Sequence, residues 1–332
     1  MSEHYWLVIV RGCELVPRWL TSKFILCAFV FTTPLAWGDG HGPAFGYSTT
    51  ILGVGDSSIE TSLMWRSGVA MISPKYSYGW KENLQISISA PFHLNHGEHP
   101  VGRFSGTMPG NPEAEALLAW RFLHKLTGVA TRNEATFYLG GSATTQSLPR
   151  TDGPPLEREP NVYGALAAAH ISRRYYLSAG AGYEHYGQWS SGKLDHQSDS
   201  LLTSVVIGWR PPFLDHDYPK PDLRFFWETT GDRIGRAWRD ATATATTAGG
   251  GGGHIHEALI RQSASGSSDV IVLPNSGGKG IYSGPTFLLT YRNMAFQSGF
   301  LVSLWDQRNG TQPAERFQAV VGVSYFFFGG KR

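Results

Sequence analysis

The sequence predicts an all-β protein, an antiparallel up-and-down transmembrane β-barrel of about 12 strands. Three observations lead there. Only 16% of the 332 residues are charged, against roughly 25% in an ordinary soluble domain. No segment past the leader has the roughly 18 or more consecutive apolar residues that a membrane helix needs. Segments of about ten residues, apolar at every second position, recur down the chain. In lipid every backbone N–H and C=O must be paired, and a closed antiparallel barrel pairs them strand to strand with no edge left over. The 40 Gly, 11 Trp, 14 Tyr and 18 Phe suit strands, tight turns and membrane-interface rings. A formal charge of +2, spread without a basic helix, gives no support to a nucleic-acid partner.

The leader comes first in the chain. Its longest apolar run, Phe24 to Phe31, follows Arg18 and Lys23 and precedes Pro34, Ala36, Trp37 and Gly38. Eight apolar residues are too few to span a bilayer but fit the hydrophobic region of a signal peptide, with small residues placed for cleavage. The expectation is a signal peptide over 1–38, export, and residence in a Gram-negative outer membrane. Cys13 and Cys27 both fall in this leader, so the exported part has no disulfide or thiolate metal site. Residues 39–56 read as a periplasmic N-terminal segment, 57–328 as the barrel and 329–332 as a C-terminal tail.

The strand pattern is one greasy face against one wet face. Leu84, Ile86 and Ile88 alternate with Gln85, Ser87 and Ser89; Phe137 and Leu139 with Thr136 and Tyr138; Leu177, Ala179 and Tyr183 with Ser178, Gly180 and Glu184. Leu223, Phe225 and Trp227 oppose Arg224, Phe226 and Glu228, and Val321, Val323, Tyr325 and Phe327 close the series. Strands are expected at 57–66, 69–80, 84–94, 113–124, 134–146, 162–173, 175–187, 198–210, 222–231, 281–292, 294–306 and 314–328. From the second strand on, connections alternate between short and long, the habit of barrels with tight periplasmic turns and long outer loops. A soluble β-sandwich would also alternate. Trp65, Trp80, Trp120, Tyr183, Trp209, Trp227, Tyr291 and Tyr325 near the ends of apolar rows argue for membrane girdles instead.

The inward set contains the candidate functional residues. Glu60, Lys75, Glu115, Arg121, His170, Glu184, Arg210, Arg224, Glu228 and Arg292 fall on the lumen side, with Arg66, Gln85, Gln297 and Gln318. Charges inside a membrane protein are functional candidates, although Glu/Arg pairs also fill and plug small barrels. His93, His96 and His99, with His254 and His256 in the longest loop, are weak metal candidates, since imidazole with a nearby carboxylate can hold Zn or Cu. No nucleotide motif or nucleophile motif is present, so neither a cofactor nor an enzymatic activity is expected. The 18 residues of 39–56 are few for the plug domain of a 22-stranded transporter, so a gate is expected from folded-in loops, chiefly 232–280.

Short motifs run through the exported part: His41-Gly42-Pro43-Ala44-Phe45-Gly46, Tyr78-Gly79-Trp80 with Leu84-Gln85-Ile86-Ser87, Gly284-Pro285-Thr286 with Tyr291-Arg292-Asn293, and Asn309-Gly310-Thr311-Gln312-Pro313. In these the chain resembles a family of outer-membrane transporter-like proteins named for the phenol meta-degradation pathway. The resemblance implies a twelve-stranded barrel transporter. One departure is the end of the chain, where Phe328 is followed by Gly329-Gly330-Lys331-Arg332 rather than closing on the aromatic residue that assembly machinery reads. The expected function is a channel passing small solutes passively, hydrophobic or aromatic ones included, with outer-membrane lipid and the barrel-assembly machinery as partners. A structural or adhesive barrel acting through its outer loops, with or without a metal, is the alternative.

Overall fold

A computed structural model of the chain describes residues 42–66, 69–93, 113–144, 161–186, 195–196, 198–214, 220–236, 238–240, 270–272, 276–310, 312 and 314–329. The strands are β1 (Ser57–Arg66), β2 (Val69–Lys81), β3 (Leu84–Ser89), β4 (Phe92–His93), β5 (Glu113–Gly128), β6 (Thr131–Thr144), β7 (Asn161–Ile171) and β8 (Tyr175–Tyr186). They continue as β9 (Asp195–His196), β10 (Ser200–Trp209), β11 (Asp222–Ile234), β12 (Trp238–Asp240), β13 (Val270–Val272), β14 (Gly278–Tyr291), β15 (Met294–Arg308) and β16 (Phe317–Phe327). Neighbours pair antiparallel around the ring, and β1 bonds both β2 and β16, which closes a twelve-stranded barrel. The short β9, β12 and β13 make a separate three-stranded sheet.

The β4 strand is the second half of β3. Both lie on β2 in one register, with Ser89 opposite Lys75 and His93 opposite Met71. Pro91 interrupts them because it has no N–H to give the ladder, while Ala90 N still donates to Pro74 O at 3.1 Å.

Side-chain alternation sorts the two faces. Along β10 the pattern is strict: Ser200, Leu202, Ser204, Val206 and Gly208 are buried, and Leu201, Thr203, Val205, Ile207 and Trp209 are exposed. The exposed faces of the other strands carry Ile86, Leu139, Leu166, Leu177, Val302 and Val321, the apolar band that lipid requires. Trp80, Trp120, Trp209 and Tyr291 sit exposed near the end that holds the short turns, and Trp65, Tyr183 and Trp305 toward the other. Trp227 sits nearer mid-strand than expected, its indole N–H donated to Ser283 Oγ at 2.9 Å.

The largest departure in strand length is the hairpin of β5 and β6. Residues 125–133 were expected as a connection, yet the ladder runs on to Gly128 and Thr131, turning at Val129 and Ala130 with Ala130 at φ 54°. Beyond Trp120, which faces Leu84 at the start of β3, β6 is the only strand partner of β5 among the described residues. Both faces of that extension meet solvent, so Leu126 and Val129 stand 70% and 99% exposed and no alternation marks it.

The interior is not the wet tube that small and polar inward residues suggest. Ile171, Tyr176, Val206, Phe226, Leu288 and Phe326 form a buried apolar cluster toward the short-turn end, and Met64, Tyr282, Leu301 and Val320 form a second one. Each receives a residue from before the first strand: Leu52 packs on the first cluster and Phe45 belongs to the second. Residues 42–52, expected in the periplasm, therefore run inside the barrel, where they supply the partner that lets inward apolar side chains be buried. The segment leaves at the short-turn end, where Gly55 N donates to Gly79 O at 2.8 Å and Gly329 N donates to Asp56 Oδ1 at 3.0 Å.

Candidate functional site: the lumen around the inner segment

One carboxylate holds the head of the inner segment. Glu228 projects inward from β11 and is completely buried. Three successive amides, Ala44 N, Phe45 N and Gly46 N, donate to it at 2.6, 2.9 and 2.7 Å, and Thr286 Oγ1 of β14 adds a fourth bond at 2.5 Å. Consecutive backbone N–H groups turned to one side make an anion cradle; here the anion belongs to the barrel wall and the cradle to the segment.

Other strands take over along the segment. Tyr47 N donates to Ser204 Oγ of β10 at 3.2 Å. Thr49 Oγ1 donates to Glu134 of β6 at 3.0 Å, Thr136 Oγ1 donates back to Thr49 O at 2.8 Å, and Tyr138 Oη donates to Ser48 O. Leu52 N reaches Gln85 Oε1 of β3 at 2.8 Å. The Tyr47 ring lies in a slot made by missing side chains, since a Cβ at Gly180 would stand 2.8 Å from Tyr47 Cδ2.

The segment leaves one sector of the lumen open. Between it and the inner face of β1, β2, β3 and β5 lies a cavity of about 250 Å³. Its wall carries Glu60, Lys75 and Glu115 among the serines Ser62, Ser73, Ser77, Ser87 and Ser89. Lys75 Nζ pairs with Glu60 Oε2 at 3.0 Å, and Glu115 accepts Ser89 Oγ at 2.9 Å and Tyr163 Oη at 2.5 Å. Opposite charges therefore share the wall, so its field has no single sign.

The remaining inward candidates are engaged in the wall itself. Arg121 meets Glu134 at 3.3 Å, and Arg210 and Arg224 share Asp222 at 2.5 and 3.0 Å. Glu184, 1% exposed, accepts Ser200 Oγ and Tyr186 Oη, both at 2.9 Å. Two candidates face elsewhere. His170 lies on the exposed face of β7 and bonds Asn133 Oδ1 at 2.7 Å, because the alternation through Leu166 and Ala168 puts it outward. Arg292 sits in the turn between β14 and β15 at φ 51°, exposed, with its guanidinium 5.3 Å from the Tyr291 ring centre. Its strand ends one residue earlier, so alternation no longer governs it.

Of the histidine candidates, His93 closes β4, and His96, His99, His254 and His256 lie outside the described residues, as does most of 232–280. Among the described residues no group of three or more His, Cys, Asp or Glu is arranged to hold a metal.

Several functional residues went unread in the sequence. Glu134 and Asp222 are the counter-ions of the arginines, and both follow from extending the inward rows of Thr136 and Arg224 by one pair. A buried cluster toward the long-loop end did not follow: Arg308 meets Asp232 at 3.1 Å and Asp306 at 2.7 Å, while Tyr282 Oη donates to Glu315 at 3.0 Å. A register shift beside Ile281 and Tyr282 brings Asp306 and Arg308 to the inner face.

These features define a class: a closed twelve-stranded barrel, apolar outside, bridged within by its own N-terminal segment. No family model matches the chain, and no curated protein matches it. Its fold is similar to that of a solved outer membrane channel. An outer membrane channel from Pseudomonas putida F1 is 13% identical over 89% of this chain and 100% of that one, with a TM-score of 0.50. The NanC porin is 8% identical over 80% and 98%, TM-score 0.42, and LpxR from Salmonella typhimurium 12% identical over 81% and 100%, TM-score 0.38. At these identities the likeness is one of fold.

Proposed function

We propose that the chain is an outer-membrane channel that passes small solutes passively and that its inner segment, residues 42–52, sets the width of the path. The observation that carries this reading is the cavity beside the segment: the barrel is narrowed but one polar sector is left unfilled. In this reading residues 1–38 direct export, the short turns face the periplasm, and the barrel-assembly machinery seats the chain with its apolar band in lipid. The likeness in fold to an outer membrane channel agrees with it. Serines and a mixed-charge wall suit small polar or weakly polar solutes, and Phe45, Tyr138 and Tyr163 along the same cavity accommodate an aromatic ring.

Planar-bilayer recording of the refolded barrel, paired with liposome swelling in small sugars and in phenol, tests the proposal. Small, salt-dependent conductance steps and faster swelling with phenol than with sugars of similar size are expected. Silent bilayers and no swelling, from protein that runs as a folded, heat-modifiable band on gels, would defeat it.

A further inference from the structure

Two cations stand side by side on the outer face of the barrel, toward the long-loop end. Arg233 is the last outward residue of β11 and Lys279 the first of β14, and the ladder sets them directly opposite one another, both exposed. Opposed side chains of an antiparallel pair have Cβ atoms roughly 4.5–5.5 Å apart, and like charges in that position repel. An anion between them turns the repulsion into two attractions. Among the described residues neither cation is in an ion pair, and Lys279 Nζ lies instead 4.8 Å from the centre of the Trp305 ring. Asp199, on the same outward face, is engaged by Tyr183 and His185. The connection between the two strands, 235–277, carries Asp240, Glu257 and Asp269 against Arg236, Arg239 and Arg261, so in sum it is neutral and does not offset the pair.

Below the pair the wall is apolar. Leu201 of β10 stands opposite Arg233 in the ladder, Ile281 is the next outward residue after Lys279, and Trp305 of β15 stands opposite Ile281. The register shift beside Ile281 leaves Leu304 over as an extra residue, 65% exposed next to Trp305. Tryptophan belongs at the membrane–water interface, with its ring at the level of the headgroups. Lys279, held against that ring, and Arg233 beside it therefore stand at headgroup level, and acyl chains lie against Leu201, Ile281 and Leu304. Two adjacent cations favour a dianion over a single charge. A phosphomonoester carries about −1.5 to −2 charge at neutral pH on three acceptor oxygens, whereas a phosphodiester carries one negative charge. Guanidinium grips phosphate through two parallel hydrogen bonds and ammonium meets it as a point charge.

We propose that Arg233 and Lys279 form a binding site for a membrane lipid with a phosphomonoester headgroup, such as lipid A, in the leaflet on the long-loop side. The phosphate sits between the two cations and the acyl chains run down the apolar wall beneath them. The inference rests on the outer-membrane reading of the barrel and is independent of whether the barrel conducts.

The test is native mass spectrometry of the folded barrel in detergent at low ionic strength, with bisphosphorylated lipid A, phosphatidylglycerol or glucose 1-phosphate added. The native chain is compared with R233Q/K279Q and with K81Q, which removes a cation beside Trp80 at the opposite rim. All three positions are exposed, and a heat-modifiable band on gels verifies that each variant is folded. Lipid A is expected to bind at least tenfold more tightly than either other probe. R233Q/K279Q should weaken it at least tenfold, and K81Q should leave it within twofold of native. Lipid A binding untouched by R233Q/K279Q, or weakened as much by K81Q, would overturn the site. Phosphatidylglycerol binding as tightly as lipid A would overturn the phosphomonoester, and glucose 1-phosphate binding as tightly would overturn the lipid, since a sugar phosphate has no use for the apolar wall. Neither current nor orientation enters a measurement in detergent, so a silent barrel that retains lipid A through these residues counts against the channel alone, and a conducting barrel that ignores lipid A counts against this site alone.

Discussion

Replacing Glu228 by alanine removes the acceptor on which the head of the inner segment hangs. Three backbone amides and the Thr286 hydroxyl converge on its two oxygens inside a fully buried site. A hydrogen bond to a charged group contributes about 1.5–3 kcal/mol net. Taking the low figure for each amide, and letting water refill part of the vacated space, the segment loses about 4 kcal/mol of docking free energy. That is about a thousandfold in the docked-to-undocked ratio. The wall should survive, because the backbone ladder at position 228, opposite Gly284, does not involve the side chain. Hydrogen exchange of the amides at 44–46 measures the effect directly: their protection should fall by about a thousandfold while strand amides are unchanged. Conductance should rise in parallel. Native protection at 44–46 in the alanine variant would refute the argument, showing that Phe45 packing and the later anchors hold the head without the carboxylate.

Gly180→Leu places a side chain where the Tyr47 ring lies and should cost about 1–3 kcal/mol in refolding titrations, with exchange rising around Tyr47; unchanged exchange there would mean that the slot is not needed. Leu139→Arg on the outward face should cost about 2–4 kcal/mol near the membrane midplane, and Ser87→Arg, which can extend into the polar cavity, should cost less; equal costs in urea titrations would mean the two faces are wrongly assigned. Lys75→Gln leaves Glu60 and Glu115 without the cation on their stretch of wall, so the reversal potential in a salt gradient should move toward cations, and an unmoved potential would put the path elsewhere in the lumen.

The strand faces were legible because alternation depends on nothing but the pleat and the contrast between lipid and lumen. Where that contrast fades, the sequence falls silent although the ladder continues. The eleventh strand was expected to stop at 231 and the fourteenth to begin at 281, yet Ile234 still pairs with Gly278. Past the lipid band the outward positions are Gly231, Arg233 and Lys279 rather than Phe225 and Trp227. Water tolerates the charges of Arg233 and Lys279 and lipid does not, so the apolar stripe ends before the hydrogen bonds do. The extension of β5 and β6 vanished from the sequence for the same reason.

The site was harder to read, and its key contact has no side-chain signature at one end. Glu228 was legible as an inward charge, but its partners are the amides of Ala44, Phe45 and Gly46, some 183 residues away in the chain, and every residue except proline has such an amide. Inward apolar residues offered a clue. Leu202, Val206, Leu288, Leu301 and Val320 are all buried facing the lumen, and an apolar lumen position is costly if it faces water. In β10 that clue is hidden, since Leu201, Val205 and Ile207 make the outward face equally apolar and the run reads as continuous grease. The small inward residues opposite, Ala165, Ala167, Gly180 and Gly182, are the complementary signal. A wall that is apolar in one arc and pared down to glycine and alanine in the next has been shaped around something solid. In this barrel the solid is residues 42–52, and the arc where serines replace both kinds of residue is the arc that the segment leaves open.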